Sequence, residues 1–364
     1  MSHFAGRLGI MQRVLPSYRA PFFDLLAQHT DGLSVFAGQP GPDEAIRSAM
    51  HLDVAHWQTA MNLHIFSGPL YLCYQRGALD WLQRTEPDAL IVEANPRYLS
   101  TPQAIRWMRA HGRPVLGWGL GAPPVRGPLA NIRNTRRRKF LQQFDGIIAY
   151  SQHGATQYRT LDIPAERIFV APNAVAPRPT APPAPRPTSG PVTVLYVGRL
   201  QARKRLDVLL RACAKLPSAL QPKLVLVGDG PARQQLEQLA NQLYPNTEFT
   251  GHLHGEALAK QFARAELFVM PGTGGLAVQQ AMAHGLAIIV GEGDGSQADL
   301  VDAENGWLLP PGDDDALSSA LAHALQDRAA LQRMGAASYQ RVQDSHNLEN
   351  MAAAFIDAIN TVSR

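Results

Sequence analysis

Cysteine is scarce in this sequence. Only two of the 364 residues are cysteine, Cys73 and Cys213, and they fall in different halves of the chain. Two distant thiols supply neither a disulfide framework nor a metal cluster, and so low a number is typical of proteins in a reducing compartment. We therefore predict a cytoplasmic protein with no metal site, in which both cysteines pack in hydrophobic cores.

Long apolar runs are also absent. No stretch approaches the roughly 20 consecutive apolar residues of a spanning helix, and a mean hydropathy of -0.15 argues against a membrane-embedded protein. The first residues, MSHFAGRLGIMQRV, lack the apolar core and cleavage site of a signal peptide, so we expect them to form the first strand. Aromatic residues are few, at 7%, and are not interleaved with basic ones, which disfavours nucleic acid as a partner.

Acidic residues are missing from one long segment. Residues 94–144 contain ten basic residues and no Asp or Glu, and the basicity of the whole chain, with its net charge of +4, comes from the N-terminal half. Such a field attracts phosphates of lipids, nucleic acid or a phosphorylated substrate. A cluster of this kind is ordinarily a solvated helix face, but here we predict reversible, peripheral and salt-sensitive attachment to an anionic membrane at the inner face. The cations concerned are Arg133, Arg136, Arg137, Arg138 and Lys139.

Short β-like apolar runs alternate with helical patterns in both halves of the chain. This alternation predicts an α/β fold of two doubly wound, Rossmann-like domains facing a cleft. Residues 176–191, APRPTAPPAPRPTSGP, are dominated by proline and are predicted to be a semi-rigid linker. The predicted domains are 1–175 and 192–345, and we expect a C-terminal helix within 346–364 to pack back on the first domain. Leu72–Arg84 is predicted to be a single helix.

The second half begins with a pattern suited to anion binding. A strand predicted over Val192–Val197 stops at Gly198 and is followed by two loop cations, Arg199 and Lys204, before a helix that begins at Leu206. Solvated cations are the alternative interpretation. The helix dipole disfavours cations at a helix start, however, so a bound anion accounts for them better.

A second loop of the same kind follows. The strand Glu266–Met270 ends at Pro271 and leads through GTGG into a helix predicted over Leu276–His284. If the two strands lie parallel in one sheet, both helix N-termini point to the same edge, and glycine lets a phosphate approach bare backbone. Two cations opposite two helix N-termini are suited to a diphosphate.

These residues resemble a known family. VGRLQARKRLDVLL, LVLVGDGP, FVMPGTGGLAVQQAMAHGLAIIV and ENGWLLPPGDDDALSSAL resemble the family-4 retaining glycosyltransferases of the GT-B fold, as does SQHGATQYRTLDIPAERIFVAPNAV before the linker. The resemblance is nearly continuous over Gly146–Arg364 and looser before it. It implies a metal-independent hexosyltransferase that uses a nucleoside-diphosphate sugar and needs no cofactor. The donor-binding positions it implies are Asn173, Arg199, Lys204, His252, Thr273, Gly274, Gly275, Leu276 and Gln280.

Two departures from the family bear on the chemistry. The family's Glu-x7-Glu motif is replaced here by Gly272 and Gln280. A Gln carbonyl still accepts a ribose hydroxyl hydrogen bond, whereas loss of the first carboxylate implies either an unusual donor sugar or Thr273 in its place. The family's N-terminal-domain histidine is not visible either, and the corresponding LIVEANPRYLS puts Glu93 and Asn95 at the end of a strand.

The catalytic candidates are Glu93, Arg199 and Lys204. Glycosyl transfer passes through an oxocarbenium-like state while the leaving diphosphate gains charge, so fixed cations are the main requirement. A helix cap or an ion pair with Arg97 is an equal explanation of Glu93. On the acceptor side the candidates by position alone are Tyr18, Arg19, Asn95 and Arg97, for which a structural role is the alternative. We interpret Asp313–Asp315 as a helix cap.

The sequence therefore predicts a retaining glycosyltransferase that moves a sugar from a nucleotide-sugar to a saccharide or lipid-linked acceptor in polysaccharide or glycoconjugate biosynthesis. One alternative keeps the fold and changes the reaction, to a nucleotide-sugar epimerase or a phosphorylase. Another is a non-catalytic nucleotide-sugar-binding partner subunit, which the missing carboxylate at Gly272 favours.

Overall fold

The chain folds into two compact units. The computed structural model describes residues 2–41, 44, 46–183, 185–186 and 189–364, so Ala184, Pro187 and Thr188 of the predicted linker lie outside the described residues. The N-terminal unit comprises Met1–Val175 with Leu348–Arg364, and the C-terminal unit comprises Ala176–Asn347. Within the described part of the chain, every helix is too short or too polar to cross a bilayer.

The N-terminal unit contains an eight-stranded sheet in the order β4-β3-β2-β1-β5-β6-β7-β8. Adjacent strands are parallel except for β3 and β4, which are antiparallel. The strands are β1 (Phe4–Val14), β2 (Thr30–Gly38), β3 (His56–Ile65), β4 (Leu72–Arg76), β5 (Ala89–Glu93), β6 (Val115–Gly119), β7 (Gly146–Ala149) and β8 (Ile168–Val170). The helices are α1 (Ala20–Ala27), α2 (Ala78–Thr85), α3 (Thr101–Ala110), α4 (Ala130–Leu141), α5 (Gln152–Arg159) and the last helix of the chain, α13 (Leu348–Val362).

Helix α13 belongs to the core of the N-terminal unit. Its Phe355 is fully buried and meets Phe22 of α1 edge-on, with ring centroids 4.9 Å apart, and Trp118 of β6 at 5.0 Å. Burial of one such ring contributes roughly 2–3 kcal/mol. The C-terminal helix is thus part of the first unit, although the proline-rich segment and the whole second unit precede it in the chain.

One predicted helix is wrong in its first part. Leu72–Arg76 is strand β4, and only Ala78–Thr85 is helical. In β4 the burial alternates, with Cys73 and Gln75 buried and their neighbours more exposed, as a strand requires. Gly77, with φ of 86°, separates the two elements because a left-handed residue continues neither.

The C-terminal unit contains a six-stranded, fully parallel sheet in the order β11-β10-β9-β12-β13-β14. Its central strands are almost wholly apolar because helices cover both faces. The strands are β9 (Thr193–Val197), β10 (Lys223–Val227), β11 (Thr247–Gly251), β12 (Leu267–Met270), β13 (Ala287–Gly291) and β14 (Gly306–Leu309). The helices are α6 (Leu206–Lys215), α7 (Arg233–Leu243), α8 (Gly255–Arg264), α9 (Leu276–Ala283), α10 (Gln297–Leu300), α11 (Asp314–Gln326) and α12 (Arg328–Asp344).

Two smaller predictions are confirmed. Cys73 and Cys213 are both buried. The Asp313 side chain caps α11 by accepting a hydrogen bond from the Ala316 N–H at 2.8 Å. Arg186 of the proline-rich segment donates to the Phe262 carbonyl at 2.7 Å and also to that of His284, so this segment is fastened to the C-terminal unit.

Each sheet has one point where the strand order reverses. In the N-terminal unit it lies between β1 and β5, and in the C-terminal unit it lies between β9 and β12. The loops that follow such strands diverge to opposite faces of the sheet and leave a crevice at its carboxyl edge, where open α/β sheets bind ligands. The two crevices are therefore the places to examine for a site.

Candidate functional site

In the C-terminal unit two loops meet at the reversal point. We call residues 198–205, which follow β9, the cation loop and residues 271–275, which follow β12, the glycine loop. Lys204 is only 7% exposed, and its ammonium donates to the Thr273 carbonyl. Arg203 Nη1 donates to Thr273 Oγ1 at 2.9 Å. The two loops predicted from the sequence are thus held together by two cations.

Gly272 is explained by this contact. A Cβ built at Gly272 would lie 2.6 Å from Lys204 Cα and still closer to the Arg203 carbonyl oxygen. Both are backbone atoms and cannot swing away, so no side chain fits while the cation loop rests on the glycine loop. The position at which the resembling family has a glutamate is therefore a packing glycine in this chain.

Thr273 takes up the contacts instead. Its side chain is exposed, and its hydroxyl and carbonyl oxygens accept from Arg203 and Lys204 respectively. The hypothesis that Thr273 replaces the missing carboxylate is consistent with its position. The structure adds that two cations surround it.

Helix α9 starts at the glycine loop. Its N-cap is Gly275, and among the described residues no side chain caps it. The first N–H groups of the helix are therefore free to bind an anion, and the helix dipole favours negative charge there. A Cβ at Gly274 would lie 2.6 Å from Lys204 Nζ, so glycine leaves that ammonium room.

A residue that sequence reasoning missed fixes the glycine loop. Gln297 is fully buried, and its Nε2 donates to the Gly274 carbonyl at 2.9 Å while its Oε1 accepts from the Gly293 N–H at 3.2 Å. It thereby joins the loop after β13 to the glycine loop. A glutamine at the start of a four-residue helix has no distinctive spacing, so the sequence carries no signal for this role.

The four cations of RLQARKRL have different environments. Arg199 is exposed at the carboxyl edge of β9, and Arg205 forms an ion pair with Asp314. Arg203, which the sequence analysis did not select, contacts Thr273 beside Lys204. The sequence identifies a basic loop, but only the chain's path shows which cations face the glycines.

Burial changes the protonation of Lys204. Loss of water around the ammonium, helped by the nearby positive charge of Arg203, lowers the pKa of Lys204 to about 8. Within the described residues no carboxylate pairs with it. A bound anion would stabilise the charged form, so anion binding and proton uptake are coupled at this residue.

The other donor-binding candidates are spread over both units. His252 directly follows β11, and its ring stacks on that of His254 with centroids 6.2 Å apart. Gln280 lies in α9 and is partly buried, one residue after the structural Gln279, which bonds the Ala176 N–H and the His346 carbonyl. Asn173 belongs to the N-terminal unit and accepts a hydrogen bond from Arg19.

In the N-terminal unit, Glu93 ends β5 at the reversal point. Its Oε2 accepts the backbone N–H of Arg13 on β1 at 2.5 Å, so its partner is this amide rather than Arg97. Burial raises the pKa of Glu93 to about 7, although the Arg13 amide and charge oppose the rise. The carboxyl group therefore changes protonation near neutral pH, as a group that exchanges protons with a substrate would.

Glu93 lines a pocket of about 350 Å³. Its walls are formed by the loops that follow β5 and β6, by the start of the segment after β7 and by helix α4. We call it the basic pocket. Its polar and aromatic members include Glu93, Asn95, Arg97, Trp118, Arg137 and Tyr158.

The remaining acceptor-side candidates differ in accessibility. Arg19 is only 4% exposed, donates to the Ala174 carbonyl at 3.1 Å and lies 5.3 Å from the ring of Trp118, which favours the structural alternative. Tyr18 is 44% exposed. Asn95 Oδ1 accepts the Arg97 N–H at 3.1 Å, a local turn that presents the Arg97 side chain to solvent.

The basic run on α4 does not form one uniform face. Arg138 pairs with Asp162 at 2.6 Å, and Arg137 donates to the Pro123 carbonyl at 2.6 Å. The exposed members are Arg133, Arg136 and Lys139. Those three are the cations of the run that remain available at the surface.

The match to a known protein family lies in the C-terminal unit. Residues 178–341 match the family model described as Glycosyl transferases group 1. The chain is 32% identical over 157 residues to the sulfoquinovosyl transferase SQD2 of Arabidopsis thaliana. The matched segment covers 41% of this chain and 30% of that protein. The chain is 35% identical over 162 residues to a GDP-mannose-dependent alpha-mannosyltransferase of Corynebacterium glutamicum, covering 43% and 37% respectively. The chain thus spans about a third of the length of these curated relatives.

Among solved structures, the fold resembles that of Anabaena HepE crystallised with UDP. The TM-score is 0.71 at 16% identity, over 99% of this chain and all of the other. At that identity the likeness shows the fold alone, but it extends through both units. The predicted fold class is therefore confirmed: both units are Rossmann-like α/β domains of the GT-B type, and residues 178–341 of the C-terminal unit match the glycosyl transferases group 1 model.

Proposed function

We propose that this protein is a retaining glycosyltransferase that takes a sugar from a nucleoside-diphosphate donor without the help of a metal ion. The observation that carries the proposal is the meeting of the cation loop and the glycine loop at the reversal point of the domain that matches the family. Relatives named for GDP-mannose and sulfoquinovose, and a neighbour crystallised with UDP, support a nucleoside-diphosphate donor and leave its base open.

In this proposal the C-terminal unit holds the leaving group. The donor diphosphate lies between Lys204, Arg199 and the free N–H groups of α9, with the ribose near Gln280 and the base near His252. As the bond between the anomeric carbon and the phosphate oxygen breaks, negative charge grows on the diphosphate. Fixed cations and amides stabilise that charge without having to reorganise.

The acceptor side of the reaction is assigned to the N-terminal unit. An acceptor hydroxyl oxygen bonds to the anomeric carbon on the face that the diphosphate leaves, and its proton passes to an oxygen of the departing phosphate. Glu93 is proposed to hold that hydroxyl. With a pKa raised to about 7, the carboxyl group is partly protonated at neutral pH, so it can either accept a hydrogen bond from the hydroxyl or donate one to it.

Calorimetric titration with UDP and GDP tests the donor site. Lys204→Ala should weaken binding of the preferred nucleotide about 10- to 100-fold, since it removes a charge-assisted contact. Lys215→Ala is the matched control, because Lys215 is an exposed lysine at the far end of α6. Equal affinities for the two variants would refute the proposed donor site.

Turnover separates the proposal from its alternatives. Incubation with nucleotide-sugar and an acceptor panel, with and without EDTA, should give donor consumption that requires an acceptor and tolerates chelation. Consumption without an acceptor would favour the epimerase or phosphorylase reaction. Binding without any turnover would favour a partner subunit, the alternative that Gly272 suggests.

We also propose reversible attachment to anionic membranes through Arg133, Arg136 and Lys139, the exposed cations of α4. Each surface cation contributes on the order of 1 kcal/mol to such binding, which salt screens. The triple alanine variant should lose flotation with phosphatidylserine vesicles at low salt, while Arg106→Ala, an exposed cation on α3, should not. Flotation that is unaffected by salt would contradict the electrostatic account.

A further inference from the structure

The basic pocket of the N-terminal unit carries positive charge that the protein does not neutralise. Arg97 and Arg137 both line it. Arg137 donates to one carbonyl, that of Pro123, while among the described residues the guanidinium of Arg97 has neither a hydrogen-bond acceptor nor an ion-pair partner. Burial, together with the charges of Arg133 and Arg97, lowers the pKa of Arg137. The two guanidinium groups therefore repel each other, and among the described residues neither has an ion-pair partner.

The nearby acidic groups already have other hydrogen-bond or ion-pair partners. Glu93, the one carboxylate that lines the pocket, binds the Arg13 amide and is only partly ionised at neutral pH. Residues 94–144 contain no Asp or Glu. Of the first two acidic residues beyond them, Asp145 accepts the Val115 N–H at 2.7 Å and Asp162 pairs with Arg138. Among the described residues, the pocket's own acidic group is thus the partly ionised Glu93, which does not balance the charge of two arginines.

Two buried donors also lack acceptors. Trp118 and Tyr158 are both 1% exposed and line the same pocket. Within the described part of the chain, Trp118 Nε1 donates to no acceptor, and the Tyr158 hydroxyl, which lies beside the Gly121 backbone, donates to none either. Buried donors without partners are costly, and native structures usually satisfy them with water or ligand. Both atoms have less than 1 Å² of accessible surface, so a ligand in the pocket does not contact them unless the wall shifts, and the affinity for an anion rests on the two arginines.

We infer that the basic pocket binds a phosphate ester, and that the acceptor of the reaction therefore carries a phosphate group next to the hydroxyl that is glycosylated. Arg97 and Arg137 bind the phosphate oxygens, since guanidinium groups pair with phosphate in a bidentate manner. A pocket of about 350 Å³ is at the small end of ligand sites, which fits one sugar or polyol phosphate rather than an extended oligosaccharide. This inference rests on the proposed function, because it names the acceptor of that reaction.

The phosphate can belong to a soluble molecule or to a lipid headgroup, and the test uses both. Full-length protein is titrated with glucose 6-phosphate and glycerol 1-phosphate in a calorimeter, with glucose and glycerol as neutral controls. In parallel, flotation is measured with phosphatidylcholine vesicles that contain phosphatidylinositol, against phosphatidylcholine alone. Measurable binding of a phosphate ester, and none of its neutral counterpart, is the expected result.

The variants make the test specific. Arg97→Glu, a reversal at an exposed side chain that leaves the backbone turn intact, and Arg137→Ala should each weaken binding of the phosphate ester about tenfold or more. Arg106→Ala, the exposed control on α3, should not, and none of the three should change the affinity for UDP or GDP. Far-UV circular dichroism and the melting temperature check that each variant is folded. If Arg137→Ala destabilises the unit, the two Arg97 variants still test the inference, because Arg97→Lys keeps the charge and should retain part of the affinity that Arg97→Glu loses.

The outcomes separate this inference from the donor-site proposal. Loss of phosphate-ester binding in Lys204→Ala but not in Arg97→Glu would overturn the inference, because the probe would then occupy the cation loop. Equal binding of phosphate esters and neutral polyols would overturn it as well. Phosphate-ester binding that depends on Arg97, in a protein that binds no nucleotide, would support the pocket and refute the proposed donor.

Discussion

The lowered pKa of Lys204 makes donor binding depend on pH in a way that can be calculated. The free protein holds this ammonium with a pKa of about 8, and a bound diphosphate should raise that value because it stabilises the charged form. At pH 7 about nine tenths of the free protein is already protonated at Lys204, whereas at pH 9 about one tenth is. The affinity for a nucleoside diphosphate should therefore fall about tenfold between pH 7 and pH 9.

The assay is calorimetric titration with UDP and GDP at several pH values, in buffers of different ionisation enthalpy. Near pH 8, binding of one nucleotide should be accompanied by the uptake of about half a proton at Lys204. Near pH 6.5 Lys204 is already protonated in the free protein, so its proton uptake should vanish. Lys204→Arg keeps a charge at all these pH values and should remove the dependence above pH 7. An affinity that is constant from pH 7 to pH 9 in the unmodified protein would show that Lys204 does not contact the diphosphate.

Three further perturbations test the packing and the buried ionisable groups. Gly272→Glu should lower stability by about 1–3 kcal/mol and weaken nucleotide binding, because its Cβ meets backbone of the cation loop; increased turnover in an activity assay would contradict this. Glu93→Gln should leave stability unchanged at pH 4.5 and raise the free energy of unfolding by up to about 3 kcal/mol at pH 8, because the folded-state pKa of about 7 lies above the ordinary value of 4.5 and ionisation of this carboxyl destabilises the folded state as pH rises through 7; urea unfolding at the two pH values measures both. Burial lowers the pKa of His346 to about 4, so charging this imidazole should by itself cost about 2 kcal/mol of stability as pH falls from 7 to 4.5. The difference in stability between His346→Gln and the unmodified protein should shift by that amount, in favour of the variant, over the same pH range in the same denaturation series.

Much of the fold could be predicted from local pattern. Buried parallel strands are apolar runs bounded by glycine or proline, and Val192–Val197 and Ala89–Glu93 are good examples of that signal. The segment Leu72–Arg76 could not be assigned in this way, because its five residues have a composition that also suits the start of the helix that follows. Its antiparallel pairing with β3, the strand that precedes it in the chain, makes it a strand.

The candidate site could be predicted in part. The two loops of the C-terminal unit have a local signature, in which a strand ends at glycine or proline and basic residues or glycines precede a helix. The contacts between the two loops have no such local signature in the sequence. These contacts depend on how β9 and β12 lie side by side in the sheet. Because of that placement, Arg203 reaches Thr273, and the backbone near Lys204 leaves no space for a side chain at Gly272.

The basic pocket shows the same division. The acid-free stretch of residues 94–144 is visible in the sequence and predicts affinity for phosphate. The sequence does not show that Arg137, an apparent member of a helix-surface run, turns to the same pocket as Arg97, which follows a different strand. The number of basic residues can be read from the sequence, but whether their side chains meet in one pocket depends on the fold.

The most direct test of the account is a crystal structure of the protein with a bound nucleoside diphosphate. We expect the terminal phosphate to lie within hydrogen-bond distance of Lys204 Nζ and of the first N–H groups of α9, with Arg199 turned toward it. A nucleotide bound elsewhere on the C-terminal unit, with Lys204 still donating to the Thr273 carbonyl, would contradict the account.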